Sequence, residues 1–224
     1  MPIDRRSLIA LGGASILGAS RAGAAEGADP AVRSSLDVVG GTLPDKSIGR
    51  AEETLYVYLS LNCPSCAHFH AVTLPELRRT LVAEGRLRIV YREFPLDVRA
   101  FAAAMLVRKA GDRYFDALDL LFAEQAGWVS ARDPGPTFRR LLAQVGVDRE
   151  AYDATMTDRP LYEGLSAIKD HARRLGVRGT PTLFVRGRKV EGDLPAAAVA
   201  AEYAGASTRD PRDWAVEAAP GGAR

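Results

Sequence analysis

The sequence predicts an α/β fold in which a small sheet is interrupted by a block of helices. Three observations carry that expectation. Two unbroken apolar runs, Thr54–Leu61 and Arg88–Tyr91, flank a long helical stretch, which implies a right-handed β-α-β crossover. Residues 100–175 then show helical periodicity only. A third apolar run, Thr182–Arg186, returns the chain to the sheet, followed by a hairpin and a last helix.

Each element has its reason. Residues 26–44 are small and polar, and read as a flexible lead-in, with Val38–Gly41 a short edge strand or a turn. Asp45–Glu53 has turn character. Tyr56, Val57, Tyr58 and Leu59 run without alternation, as in a strand covered on both faces. From Cys63 to Glu84, Phe69, Val72, Leu77 and Leu81 recur at helical spacing. Pro75 should kink this helix and Gly85 should stop it. Pro95 ends the pairing of the second strand. Helices are then expected over Asp97–Ala110, Arg113–Ala126, Pro136–Val145, Asp148–Met156 and from Asp158 to Leu175, with Gly127–Pro136 as a break. Asp158 caps the last of these, with Pro160 in its first turn. Gly187-Arg188 make a turn into Lys189–Glu191, Leu194–Tyr203 closes the fold, and 205–224 read as a disordered tail.

Charge excludes one class of partner. The 224 residues carry a formal net charge of +2, all of it in the first 25, so the rest is balanced and no nucleic-acid partner is expected. Residues 1–25 read as a signal peptide: a charged Asp4-Arg5-Arg6-Ser7, an apolar Leu8–Ala19 too short to span a bilayer, and Ala22-Gly23-Ala24 for cleavage near Ala24 or Ala25. Arg5-Arg6 before Ser7-Leu8-Ile9 resembles a twin-arginine signal, a general secretory signal being the other reading. The expected location is the periplasm.

Cys63 and Cys66 are the only cysteines, and they sit where a strand runs into a helix. Unpaired backbone N–H groups and the positive end of the helix dipole favour a thiolate there. A bridge between them closes too short a loop to stabilise much, so an exported chain with this pair alone points to chemistry. Three readings stand beside one another: a redox pair, half of a zinc site, or a Cys63/Cys66/His70 metal set. Zinc would need two more ligands and the chain has no further cysteine. His68 and His70 point in different directions from a helix and read as partly exposed surface, as does His171. No metal is expected.

Gly179-Thr180-Pro181-Thr182 precedes a strand, and a proline at a strand's start invites a cis bond. Cys63-Pro64-Ser65-Cys66 after one strand and Thr180-Pro181 before another resemble the thioredoxin fold. The helical insertion, with the segments CAHFH, LPEL, VYREFPLD, LLFAEQAGW and LGVRGTPTLFV, is similar to the DsbA-like thiol:disulfide oxidoreductases. The resemblance covers about residues 45–203, with 45–99 and 176–204 as the thioredoxin-like domain and 100–175 as the inserted helical domain.

The resemblance implies roles. Cys63 is the exposed nucleophile and Cys66 the resolving thiol; Pro64 and Ser65 tune the potential. Pro181, in cis, packs against the pair, and the Thr180 backbone binds an extended substrate segment. No cofactor is implied beyond the Cys63–Cys66 disulfide. Partners would be unfolded or folding exported proteins with cysteines, and a membrane or soluble redox partner that recharges the enzyme. Two positions depart from the pattern: Val57 stands where such proteins often carry a buried acid, and Ser65 where strong oxidants often carry histidine. A milder oxidant is therefore expected. Residues 26–53 are too few for the dimerisation domain of isomerases. The expected function is an exported protein-disulfide oxidoreductase that introduces disulfides, against a client-specific reductase or isomerase and a non-enzymatic metal-binding protein.

Overall fold

Among the described residues, five strands form one sheet in the order β1-β3-β2-β4-β5. They are β1 (Lys46–Ile48), β2 (Thr54–Leu59), β3 (Arg88–Glu93), β4 (Thr182–Val185) and β5 (Arg188–Glu191). β2 and β3 are parallel, as the crossover requires; β1, β4 and β5 each run antiparallel to their neighbours. The structure is a computed structural model and describes residues 30–37, 41 and 43–204. The expected signal peptide, the expected tail and Val38–Gly40 of the expected edge strand lie outside the described residues.

Among the described residues, ten α-helices surround the sheet: α1 (Pro30–Asp37), α2 (Pro64–His68), α3 (Leu74–Leu77), α4 (Val98–Lys109), α5 (Tyr114–Ala123), α6 (Gln125–Ser130), α7 (Gly135–Leu142), α8 (Arg149–Met156), α9 (Arg159–Arg174) and α10 (Ala196–Glu202). No described helix is long and apolar enough to cross a membrane. Both faces of β2 are covered. Leu55, Val57 and Leu59 enter the larger core with Cys66, Phe69, Ile89 and Tyr91, while Tyr56 and Tyr58 join Leu36, Val90 and Phe184 on the other face. Period-two alternation thus sorts one apolar run into two cores.

Two buried arginines tie loops and helices to the sheet. Arg92 donates to both Asp45 carboxylate oxygens, the Tyr58 hydroxyl and the Leu36 carbonyl. Arg108 grips Glu93 with two bonds of 2.7 Å, and Tyr114 donates to the same carboxylate at 2.9 Å. Burial is tolerable for these charges because every one is paired and hydrogen-bonded.

Several expectations are corrected. The lead-in holds α1, whose Leu36 is buried, and the edge strand falls in the expected turn at Lys46–Ile48, where it pairs with Ile89–Tyr91. β3 extends to Glu93 because the Arg108 pair accommodates a carboxylate inside. The helix from Cys63 does not simply kink at Pro75. Wide π turns over Phe69–Thr73 and Arg78–Val82 flank α3, and the Leu74 N–H reaches back to the Phe69 carbonyl. Pro75 then sits in the first turn of α3, where its missing N–H matters least. The expected helix over Arg113–Ala126 is two helices that break at Glu124, and Gly127 lies inside α6. The hairpin turn is Arg186-Gly187, one residue earlier than expected, with φ of 51° and 84°, the left-handed pair that matches strand twist. Asp158 caps α9 as expected, accepting from the Leu161 N–H at 2.9 Å.

Candidate active site

β2 ends at Leu59 and the chain turns through Ser60–Asn62 into α2, which places Cys63 at the helix N-cap. Its Sγ accepts from the Cys66 N–H at 3.4 Å. Pro64 follows in the first turn, where no donor is needed, and Pro64 and Ser65 are exposed. Cys66, three residues on, is fully buried, and its Sγ accepts from the Ser60 N–H at 3.5 Å. Both cysteines are free thiols.

The second half of the site comes from the strand after α9. Thr180-Pro181 is a cis peptide. It brings the Thr180 carbonyl to 3.2 Å from the Cys63 Sγ, which donates to it while protonated. Pro181 is buried beside the pair, and its carbonyl accepts from the Gly192 N–H at 2.8 Å. The Thr180 hydroxyl is buried without a hydrogen-bond partner among the described residues. The structure thus brings Thr180, with Pro181 next to it in the chain, up to the segment that carries Cys63, Pro64, Ser65 and Cys66.

The two thiols are driven apart in acidity. Cys63 is lowered to about 6, chiefly because the Cys66 thiol hydrogen-bonds its anion, with help from the backbone N–H groups of Cys66 and Ser65 against the cost of burial. Cys66 is pushed far up, first by burial and then by the neighbouring Cys63 sulfur. One sulfur is a nucleophile at neutral pH; the other holds its proton.

Exposure departs from the expectation. Cys63 is only 7% exposed, because the Thr180 loop and the residues before α2 wrap it. Gln125, at the start of α6, is a site residue that the sequence did not single out. Its side-chain amide donates to the Leu61 carbonyl at 2.7 Å and the Cys63 carbonyl at 2.9 Å, fixing the turn that carries the nucleophile. Its only signal in the sequence is a polar residue inside an apolar helical stretch, one of many such. His70 is also corrected: it is buried, with Nε2 2.5 Å from Asp119 Oδ1. His68 is exposed and pairs with Asp193 at 2.5 Å, and half-buried His171 meets the Ser35 carbonyl at 2.9 Å. Among the described residues no three His, Cys, Asp or Glu side chains converge as metal ligands would.

A cysteine pair at a helix N-terminus, meeting a cis-proline loop at one end of a mixed sheet, defines a thioredoxin-fold dithiol protein. The thioredoxin family model matches residues 47–201, and the chain belongs to that family. A Rickettsia bellii chain named as a protein-disulfide oxidoreductase is 28% identical over 156 residues, covering 66% of this chain and 59% of that one. The chain spans little more than half the length of the Rickettsia relatives it matches. Among solved structures, alpha-DsbA1 from Wolbachia pipientis superposes with a TM-score of 0.65 at 23% identity, over 75% of this chain and 97% of that one. Oxidised BdbD from Bacillus subtilis gives 0.64 at 14% identity, over 71% and 93%. These likenesses place the fold, helical insertion included, with the DsbA-type proteins.

Proposed function

We propose that the protein is an exported thiol:disulfide oxidoreductase that introduces disulfides into folding proteins through Cys63. The observation that carries this reading is the pair of opposed thiols against the cis Thr180-Pro181 loop: an acidic Cys63 beside a sealed, weakly acidic Cys66. No other group is required as oxidant, since the Cys63–Cys66 disulfide is itself the redox centre. In the oxidised enzyme a substrate thiolate attacks the Cys63 sulfur and expels Cys66 as a thiolate, which takes up a proton. A second substrate thiolate then attacks the first substrate sulfur, and Cys63 leaves as a thiolate. The low pKa of Cys63 makes it a good leaving group and favours the reduced enzyme. The Thr180 backbone is suited to align an extended substrate segment by strand-like bonds.

The residues 1–25 support export, and an oxidising compartment supports the direction. Folding exported proteins with cysteines would be the substrates, and a membrane or soluble partner would reoxidise the pair. A Cys63 value of about 6 is well above that of the strongest oxidants of this kind, whose thiol titrates near about 3.5, so a moderate oxidant is expected. Equilibration of the Cys63–Cys66 pair with glutathione tests this. A potential above about −200 mV supports an oxidase, and one near or below the about −270 mV of thioredoxin refutes it.

A further inference from the structure

The two halves of the site stand on different elements. Cys63 and Cys66 belong to the start of α2, whereas Thr180-Pro181 leads into β4. They meet where the Cys63 Sγ lies 3.2 Å from the Thr180 carbonyl. A substrate aligned along the Thr180 backbone depends on that spacing, since a misplacement of about 1 Å can slow a reaction severely.

The loop is held from its far side. Pro181 has no N–H, so its carbonyl is the one ladder group it offers, and the Gly192 N–H takes it at 2.8 Å. Gly192 stands one residue past β5, a four-residue strand at the margin of the sheet, and such ends fray readily. The support comes from the next residue. Gly192 adopts a left-handed φ of 87°, and Asp193 reaches the helical run that carries the cysteines. Asp193 Oδ2 lies 2.5 Å from His68 Nδ1, and its Oδ1 accepts from the Thr73 hydroxyl at 3.3 Å. His68 ends α2, two residues beyond Cys66, and Thr73 ends the wide turn that follows. A circuit therefore closes: from Cys63 along the helix to His68, across to Asp193, back one residue to Gly192, across to Pro181, and from Thr180 to the Cys63 sulfur.

Folding stability gives little reason for the pair. The His68 side chain is 63% exposed and that of Asp193 19%, and ion pairs open to water contribute little to folding. Leu194 packs against the larger core, so the loop has an anchor of its own. What the carboxylate adds is register between the end of β5 and α2.

We propose that Asp193 is a positioning residue that keeps the cis-proline loop aligned with Cys63 by clasping the helical run that carries the cysteines. It acts on substrate through Gly192, Pro181 and the Thr180 backbone. Only a substrate long enough to lie along Thr180 should feel the clasp, because a small dithiol reaches the sulfur without that backbone. This inference rests on the proposed thiol-exchange function.

The test mixes oxidised protein with two reduced substrates, dithiothreitol and an extended peptide carrying two cysteines, and follows the loss of their thiols over a range of concentrations. Asp193→Ala should oxidise dithiothreitol at the wild-type rate, while the peptide concentration for half-maximal rate rises about threefold to tenfold, as the loss of a hydrogen bond implies. Asp193→Asn, whose amide offers an acceptor and a donor on the same frame, should recover most of the wild-type value. Adding His68→Ala to Asp193→Ala should change nothing more, since the bond between them is already gone. An unchanged peptide half-saturation in Asp193→Ala overturns the proposal. So do both substrates slowed alike, the mark of a merely structural role, an asparagine variant as impaired as alanine, or a further loss from His68→Ala. A wild-type protein that oxidises neither substrate overturns the thiol-exchange function itself, and this inference with it.

Discussion

Replacing Cys66 with alanine tests why Cys63 is acidic. The largest contribution to its value of about 6 is the hydrogen bond that the Cys66 thiol gives to the Cys63 anion, ahead of the backbone N–H groups of Cys66 and Ser65. A hydrogen bond to a charged group is worth about 1.5–3 kcal/mol, and about 1.4 kcal/mol moves a titration midpoint by one pH unit. A thiol is a weak donor, which places the effect at the lower end. Cys66→Ala should therefore carry the Cys63 midpoint from about 6 to about 7. Cys66→Ser, which restores an O–H donor in the same place, should return it to about 6 or below. The assay is the rate of alkylation by iodoacetamide between about pH 4 and 9, checked against the ultraviolet absorbance of the thiolate. A midpoint still at about 6 in the alanine variant would refute the reasoning and transfer the effect to the helix terminus.

Three further outcomes follow from the same structure. The Cys63 value lies below that of an unfolded thiol, so its thiolate stabilises the reduced fold fully above about pH 9 and ceases to do so as pH falls through about 6. Thermal scans should show the reduced form losing stability against the oxidised form across that window, and a constant gap would contradict the assignment. Arg108→Met leaves Glu93 buried and unpaired and should cost about 3–5 kcal/mol in urea unfolding, with Glu93→Gln in the same background recovering part of it. Gln125→Ala strips the donor from two backbone carbonyls and should cost about 1–3 kcal/mol by the same measurement; an unchanged midpoint would show that the Leu61 and Cys63 carbonyls find other donors.

What the sequence revealed of this molecule follows from the range of the forces involved. β2, the helical block and the hairpin were legible because apolar periodicity reports burial directly, and the cap at Asp158, with Pro160 in the turn it opens, acts within one turn. Cys63 and Cys66 announced themselves by rarity, and Thr180-Pro181 by the strand behind it. Contacts between distant segments were not legible. β1 is three residues long and exists only because β3 offers it an edge. His70 reads as surface until Asp119, 49 positions away, meets its ring. Gln125 matters through two carbonyls more than 60 positions earlier in the chain. The pattern of a segment names its own burial, whereas a polar partner must be found by the fold.

The outer strands of the sheet bear on the company the proposed function would keep. A protein that handles unfolded chains meets many extended segments, each able to add to an open sheet edge. β5 presents Arg188, Lys189 and Glu191 to solvent along its four residues, and β1 offers only three residues on the opposite side. Charge at one margin and brevity at the other discourage strand addition and aggregation there. Under the proposed function an incoming chain would thus be turned away from both margins, and the Thr180 backbone beside the sulfur would be left as the place for it to lie down.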